Sequence, residues 1–365
     1  MLNAVTFSSN TRKGKRRLHP SRHIPSGGVR DELTAKSAVV SKTPFRLSFA
    51  GGGTDLPEYY KGHGPGACVA GAMDKGIYVM VVENFNADEL RVSYRITEDA
   101  KRSVGDISHG SIREALRLLR IPSGVQVITA TQMPSRGTGI GSSSSCAVGA
   151  LHALHAWKGE RVGPRQLARE AVRIEREILR EPGGIQDQYC AAYGGLNLIQ
   201  VERDGSVSVQ SLGLDHEGLE QLNDHLMLFF TGTERSSAEL HSNQVSRVEE
   251  HVPDYDRMRE IAIEIARALE RLDFAEIGSL MDENWQLKKR LSEGISSPTI
   301  DLAYECAGKA GALGGKLMGA GGGGFLFFLA PPERHHDVRK ALQPTGLVER
   351  TAHLQIGGST LVHEE

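Results

Sequence analysis

Cysteine is scarce in this chain: Cys68, Cys146, Cys190 and Cys306 are the four among 365 residues, and no two form a C-x-x-C pair. That argues against a disulfide framework and against a cysteine-rich zinc site, and it fits a reducing, cytoplasmic setting. An excess of charge of one sign is missing too. A formal net charge of -2 offers no global field for capturing nucleic acid or an anionic membrane, so neither is expected as a partner. Long apolar runs are also absent. The longest, Ile77 to Val82 and Phe325 to Ala330, fall far short of the ~20 residues a spanning helix needs. The basic N-terminus, with Lys13, Lys15, Arg16, Arg17, Arg22 and Arg30, is followed by no apolar segment of the secretory kind. Residues 1–36 are therefore read as a disordered basic extension, with a nucleic-acid-binding arm as the alternative. No repeat at solenoid periods occurs, and no G-x-x-x-x-G-K-[ST] phosphate loop.

What is present is a 39% hydrophobic composition, ample for a folded core, in a chain long enough for two domains sharing a cleft. Ordered sequence is expected from about Ser41, where Phe45, Leu47 and Phe49 alternate with polar or small residues before Gly51-Gly52-Gly53. Ile77 to Val82 reads as a second strand, with Arg91 to Tyr94 as its candidate partner. Ser111 to Arg120 reads as a helix, and Val125 to Ala130 as a strand leading into a glycine-serine loop. Helices are expected over Ser143 to Trp157 and Pro164 to Arg180, then a short helix and the strand Leu196 to Val201. The second half opens on the strand His225 to Thr231 and carries helical patterns over Pro253 to Leu272, Ala275 to Leu291 and Thr299 to Ala312. A glycine-rich hairpin, Lys316 to Met318 and Phe325 to Leu329, follows, then a last helix and strand. Helices segregated against antiparallel strands argue for an α+β fold.

The most informative segment is Met133-Pro134-Ser135-Arg136-Gly137-Thr138-Gly139-Ile140-Gly141-Ser142-Ser143-Ser144-Ser145. Glycines let backbone approach a polyphosphate, and the first N–H groups of the helix that follows have no intrahelical partners. Serine hydroxyls add donors or magnesium ligands. An ordinary turn with a serine cap would account for one or two of these residues, not for the run. A second glycine segment, Gly319 to Gly324, matches a dinucleotide fingerprint, but a strand-like Phe-Leu-Phe-Phe-Leu run follows where that fingerprint requires a helix. It is expected instead to let a second loop close over phosphates or substrate.

Two carboxylates stand out. On the helix from Pro164, the apolar stripe runs through Leu167, Ala168, Ala171, Val172, Ile178 and Leu179, and Glu175 falls in its middle, with Glu170, Arg173 and Glu177 opposite. An inward carboxylate pairs with a buried arginine or binds the magnesium of a nucleotide. Asp187 follows a Gly-rich turn at the start of a short helix, as a cap or as the proton acceptor of a phosphoryl transfer.

Taken together, Pro44-Phe45-Arg46 through Gly51-Gly52-Gly53-Thr54-Asp55, Pro134 through Ser145, and Lys316-Leu317-Met318-Gly319 through Gly324 resemble the three motifs of the GHMP kinases, in the family's order. The segments Ser48 to Asp55, Trp285 to Leu291 and Gly314 to Leu317 are most similar to the heptose 7-phosphate kinases of that family, with the fucokinases next. The resemblance implies an N-terminal α/β nucleotide-binding domain, here 37–210, and a ferredoxin-like α+β C-terminal domain, 211–365, with the active site between them. It implies ATP and Mg2+ as cofactors and phosphorylation of the C1 hydroxyl of a sugar phosphate, D-glycero-D-manno-heptose 7-phosphate. Kinase action on a free sugar such as L-fucose and a non-catalytic sensing role are the alternatives, and a homodimer is left open.

By the same resemblance Asp187 is the catalytic base and Arg46 stands beside the acceptor hydroxyl. Pro134, Arg136, Gly137, Thr138, Gly139, Ile140, Gly141, Ser142, Ser143 and Ser144 hold ATP. Ser143 (or Ser142) and Glu175 hold the magnesium. Gly52, Gly53, Thr54, Asp55, Gly184, Gly321 and Gly322 form the sugar site. Arg46 as an edge-strand arginine and Asp55 as a turn cap are the plainer readings of those two. Galactokinases carry Gly-Glu-His-Thr-Asp where this chain has Gly51 to Asp55, and the two extra glycines enlarge the pocket for a bigger or phosphorylated sugar. Arg136, Lys288, Lys289, Arg290 and Lys316 are the candidates to hold a sugar phosphate.

Overall fold

Phe45, Leu47 and Phe49 are buried in the core as their alternation predicts, while the residues between them, Arg46 and Ser48, are also buried yet line a cleft. They belong to β1 (Ala38–Ala50), and the site begins on the back of that strand. The computed structural model describes residues 37–134, 137–232 and 237–365; the expected basic extension 1–36 and Arg136 lie outside them. After β1 come α1 (Pro57–Tyr60), β2 (Gly66–Glu83), β3 (Leu90–Ser93), β4 (Thr97–Lys101), α2 (Gly110–Leu118) and β5 (Val125–Thr131). The glycine-serine loop then opens α3 (Ser142–Trp157), followed by α4 (Pro164–Val172), α5 (Gln186–Tyr193), β6 (Leu196–Val201) and β7 (Val207–Ser211). The second half holds α6 (His216–Asp224), β8 (Leu226–Phe230), α7 (Ser237–Ser246), α8 (Val252–Glu270), α9 (Phe274–Arg290) and α10 (Pro298–Lys309). It ends with β9 (Gly314–Leu317), β10 (Phe325–Leu329), α11 (His335–Leu342), β11 (Val348–Arg350) and β12 (Thr360–Glu364).

The first sheet runs β12-β1-β2-β5-β3-β4. β2 is long enough to take two partners along one edge: Gly66 to Gly71 pair with β6, and Ile77 to Glu83 pair with β5. This corrects one expectation, since Arg91 to Tyr94 does not meet Ile77 to Val82. β5 lies between them and pairs with β3 in parallel. The second sheet is antiparallel, β11-β8-β10-β9. β12 returns to β1, so the chain's last strand completes the sheet built by its first half.

α3 is apolar nearly all round and is buried accordingly, packed on β1 and β2, where the Ser41 hydroxyl donates to the Gly149 carbonyl at 2.8 Å. α8 and α9 pack on each other, and α8 also lies against β1 and β2, which ties the two sheets into one core. The helix expected from Pro164 to Arg180 stops being α-helical at Val172 and continues as a π turn over Arg173–Ile178. The wider turn changes the phase, so Ile178, expected in the apolar stripe, is 42% exposed while Glu175 stays inside. Among the described residues no helix is long and apolar enough to cross a membrane.

Candidate active site

The loop leaving β5 reaches α3 through Gly139 and Gly141, both in the left-handed region at φ +75° and +73°, and Gly141 is the cap residue of the helix. The second glycine loop interlocks with it. A Cβ on Gly139 would lie 2.3 Å from the Met318 carbonyl oxygen, and one on Gly319 would lie 2.4 Å from the Gly139 Cα. Only glycine permits two backbones to meet this closely. Gly137, Thr138, Gly139, Gly141 and Ser142 to Ser144 then line one wall of a cleft of about 710 Å³. Ser145 turns away and donates to the Pro44 carbonyl at 2.7 Å.

Glu175 lies across from the start of α3 and is 1% exposed. It accepts from the Ser143 hydroxyl at 2.8 Å, from the Ser144 hydroxyl at 2.7 Å and from the Gln188 amide. Among the described residues its hydrogen-bond partners are neutral donors, and no arginine is paired with it. A single carboxylate beside two hydroxyls is a set of hard oxygen ligands that fits magnesium, an ion usually held by one or two carboxylates together with substrate phosphates. Among the described residues no group of three or more His, Cys, Asp or Glu side chains makes a dedicated metal cage. Cys146 also lines the cleft, but burial pushes its thiol up to about 12, away from the thiolate form that reacts.

Asp187 sits in the first turn of α5, whose cap residue is Ile185, so Asp187 is not the cap. Its carboxylate is gripped by Arg46, Nε to Oδ1 at 2.7 Å and Nη2 to Oδ2 at 3.0 Å. Arg46 also donates to the Gly139 carbonyl, which fixes the guanidinium against the glycine loop. Asp55 does the capping instead. Its Oδ2 accepts from the backbone N–H groups of Ile185 and Gln186 at 2.7 and 2.9 Å, and its Oδ1 from Gly53 at 3.0 Å. The turn between Glu175 and α5 passes so close that a Cβ on Gly184 would lie 1.9 Å from Asp55 Oδ2.

A smaller chamber of about 50 Å³ adjoins the cleft and shares Arg46, Arg176, Asp187, His241 and Gly319 with it. Gly52, Gly53, Asp55 and Gly184 line the chamber, so this part of the expected sugar site is brought together with Asp187. Thr54, Gly321 and Gly322 line neither space. The Thr54 hydroxyl donates to the Gly51 and Ala67 carbonyls, Gly322 donates to the Ile295 carbonyl, and Gly321 packs on the Ile295 backbone. Of the expected nucleotide residues, Ile140 is fully buried in the core and Pro134 is exposed outside the cleft lining.

The cationic candidates separate. Lys289 pairs with Asp301 at 3.3 Å and Arg290 with Asp254 at 2.5 Å, both away from the chamber, whereas Lys288 and Lys316 line it. Burial first, then the charge of Arg46, brings Lys288 down to about 8. Burial first, then Lys288 and Arg46, holds Lys316 well below the ordinary lysine range. Arg176 and His241 are among the lining residues that were not anticipated. Arg176, next to Glu175 on the π turn, donates to the Gly184 and Glu181 carbonyls at 2.9 and 3.1 Å. His241 on α7 has a buried Nδ1 without a partner among the described residues, and burial followed by Lys288 and Arg176 lowers its pKa to about 4. A π turn leaves no simple periodic signature, and a lone histidine on a polar helix gives none.

A strand, a glycine loop and a helix start facing a carboxylate, with a clamped aspartate on the far side, define a two-domain kinase fold of mixed α and β structure. Residues 108–195 match the description GHMP kinases N terminal domain, and residues 265–345 match GHMP kinases C terminal. A mevalonate kinase from Thermococcus sibiricus is 30% identical over 256 residues, covering 64% of this chain and 69% of its own length. The chain belongs to the GHMP kinases. It is also 29% identical over 316 residues to the D-glycero-alpha-D-manno-heptose 7-phosphate kinase of Campylobacter jejuni, covering 84% of this chain and 93% of that one. A crystal structure described as a D-glycero-D-manno-heptose 1-phosphate kinase from Bacteroides thetaiotaomicron superposes with a TM-score of 0.73 at 25% identity, over 89% of this chain and 99% of that one.

Proposed function

We propose that this protein is an ATP-dependent sugar kinase that phosphorylates the anomeric C1 hydroxyl of a sugar phosphate, converting D-glycero-D-manno-heptose 7-phosphate to the 1,7-bisphosphate. The observation that carries this reading is the clamped carboxylate of Asp187, set by Arg46 at the junction between the serine-lined cleft and the smaller chamber. Such a group is poised to take the proton of an acceptor hydroxyl as the terminal phosphoryl group of ATP is transferred to its oxygen. An anomeric hydroxyl is more acidic than an ordinary alcohol, so orientation of the base supplies much of what is needed.

The helix start at Ser142 to Ser144 supports the placement of ATP phosphates on that wall, because backbone N–H groups at a helix N-terminus and the helix dipole both favour anions. Ser143 and Glu175 are the residues that would hold magnesium, which neutralises phosphate charge when bound. Arg46 stabilises Asp187 and places positive charge beside the reacting oxygen. The name of the Campylobacter relative supports a heptose 7-phosphate as acceptor. The Bacteroides structure's name sets phosphate at carbon 1 of its substrate instead, which makes the position of transfer the point to test.

The experiment is a screen for ADP formation with heptose 7-phosphate, free heptose and L-fucose, with the product assigned by phosphorus NMR. A new phosphate on C1 of the 7-phosphate is expected. Faster turnover of L-fucose, or no ADP with any sugar, overturns the reading.

A further inference from the structure

The chamber beside Asp187 carries more positive charge than its carboxylates can answer. Lys288 and Lys316 are 4% and 1% exposed, one from the last turn of α9 and one from β9. Neither has a carboxylate partner among the described residues. The Lys288 ammonium donates to the Gly319 carbonyl at 2.8 Å, and that of Lys316 to the Ser48 hydroxyl at 3.4 Å. Among the described residues Arg176, the third cation, is hydrogen-bonded only to carbonyls. The chamber's two carboxylates are already committed, Asp187 to Arg46 and Asp55 to three backbone N–H groups. Among the described lining residues, four basic side chains against two carboxylates leave a formal excess of two positive charges. Buried ammonium groups without an anion are costly, and the arrangement is relieved by a dianion entering between them.

We infer that Lys288 and Lys316, with Arg176, form the subsite that holds the phosphate already present on the sugar; this rests on the sugar-phosphate reading above. The anion they await is not on the nucleotide side. Both lysines line the smaller chamber and are absent from the wall of the serine-lined cleft. Space for it is provided by the first motif: a Cβ on Gly52 would point into the chamber, 3.8 Å from the Lys288 ammonium and 2.9 Å from the Gln186 amide nitrogen. A side chain there would occupy the volume the lysines enclose. Two flexible ammonium groups and one planar guanidinium converging on one space suit a phosphate better than a neutral hydroxyl, because charge-assisted bonds to phosphate are the strong ones.

The test compares the full-length protein with Lys288→Met and Lys316→Met, measuring kcat and KM for heptose 7-phosphate, for unphosphorylated heptose and for ATP. Each substitution keeps the length of the side chain and removes a buried charge, so the thermal midpoint is expected to hold or rise; Lys316→Gln serves if the methionine variant does not fold. The expected result is a loss of about 10- to 100-fold in kcat/KM for the phosphorylated sugar, the worth of one charge-assisted hydrogen bond, with the free sugar and the KM for ATP unchanged. Equal losses on both sugars, or a change confined to ATP, would assign the lysines to the transferred phosphoryl group and overturn the inference alone. A wild-type protein that uses free sugars and ignores sugar phosphates overturns the functional reading and this assignment together.

Discussion

Arg46 and Asp187 are joined by two parallel hydrogen bonds of 2.7 and 3.0 Å across 141 residues of sequence, and the same guanidinium reaches the Gly139 carbonyl. One side chain thus ties the carboxylate we propose as the base to the glycine-serine loop. Asp187→Asn keeps the shape and removes the proton acceptor. Its kcat should fall by about 10²- to 10⁴-fold, the usual worth of positioned acid–base catalysis, with KM for ATP nearly unchanged. Near-native ADP release from this variant would remove Asp187 from its role. Arg46→Lys, which cannot make the paired contact, should lose most of the same rate without losing the fold.

Glu175 accepts three hydrogen bonds in a buried position, so it links stability to the site. Glu175→Ala leaves Ser143, Ser144 and Gln188 donors without their acceptor, at a cost of about 1–3 kcal/mol for each buried group that finds no other partner. Glu175→Gln keeps the volume and should raise the magnesium concentration needed for half-maximal rate by at least tenfold. A magnesium titration of the rate, alongside thermal denaturation, separates the two effects. An unchanged magnesium requirement would sink the metal assignment.

Gly184 is fixed by contact. With a Cβ only 1.9 Å from Asp55 Oδ2, Gly184→Ala must push Asp55 off the backbone N–H groups of Ile185 and Gln186. We expect a loss of stability of about 1–3 kcal/mol, the usual cost of overpacking, and a larger fall in turnover because α5 carries Asp187. Native melting and native turnover together would show that the turn can move at no cost.

His155 lies buried on α3 between Glu160 and Glu170, with Nδ1 to Glu160 Oε2 at 2.6 Å and Nε2 to Glu170 Oε2 at 2.7 Å. Burial works to lower its pKa, but the hydrogen bonds to the two carboxylates outweigh it, and the net shift is upward. The folded state therefore holds this proton more tightly than the unfolded chain. The stabilisation is complete below the unfolded value of 6.5 and is lost as pH rises through the higher folded value. At the acid end Glu170, lowered in the fold by His155 against its own burial, loses its contribution as pH falls through its folded value. The stability difference between wild type and His155→Gln, followed by urea unfolding from pH 5 to 9, should shrink toward alkaline pH by about 1–3 kcal/mol. A difference that stays flat over this range would mean the histidine is neutral in the fold.

Local sequence was enough for the features that depend on neighbours along the chain. The glycine-serine run announces a helix start able to hold an anion, because cap chemistry and backbone freedom are properties of a few consecutive residues. Leu196–Val201 and Phe325–Leu329 are strands with the bounds that their composition suggests. Glu175 could be seen to point inward from the residues around it. The π turn that carries Glu175, and with it the exposure of Ile178, could not, since it depends on what the turn packs against.

The folded chain decided everything that required two distant segments to meet. Whether Asp187 caps its helix or is held by a guanidinium depended on Arg46, 141 residues away, and whether Asp55 caps anything depended on Ile185, 130 residues away. The sorting of the four described candidate cations came from burial, which no linear pattern reports for a long flexible side chain: Lys288 and Lys316 turn into the chamber, while Lys289 and Arg290 leave it for Asp301 and Asp254. Residue type and spacing name the chemistry available. Hydrogen-bond partners and removal from water decide which groups are left free to use it, and both are made only when the chain folds.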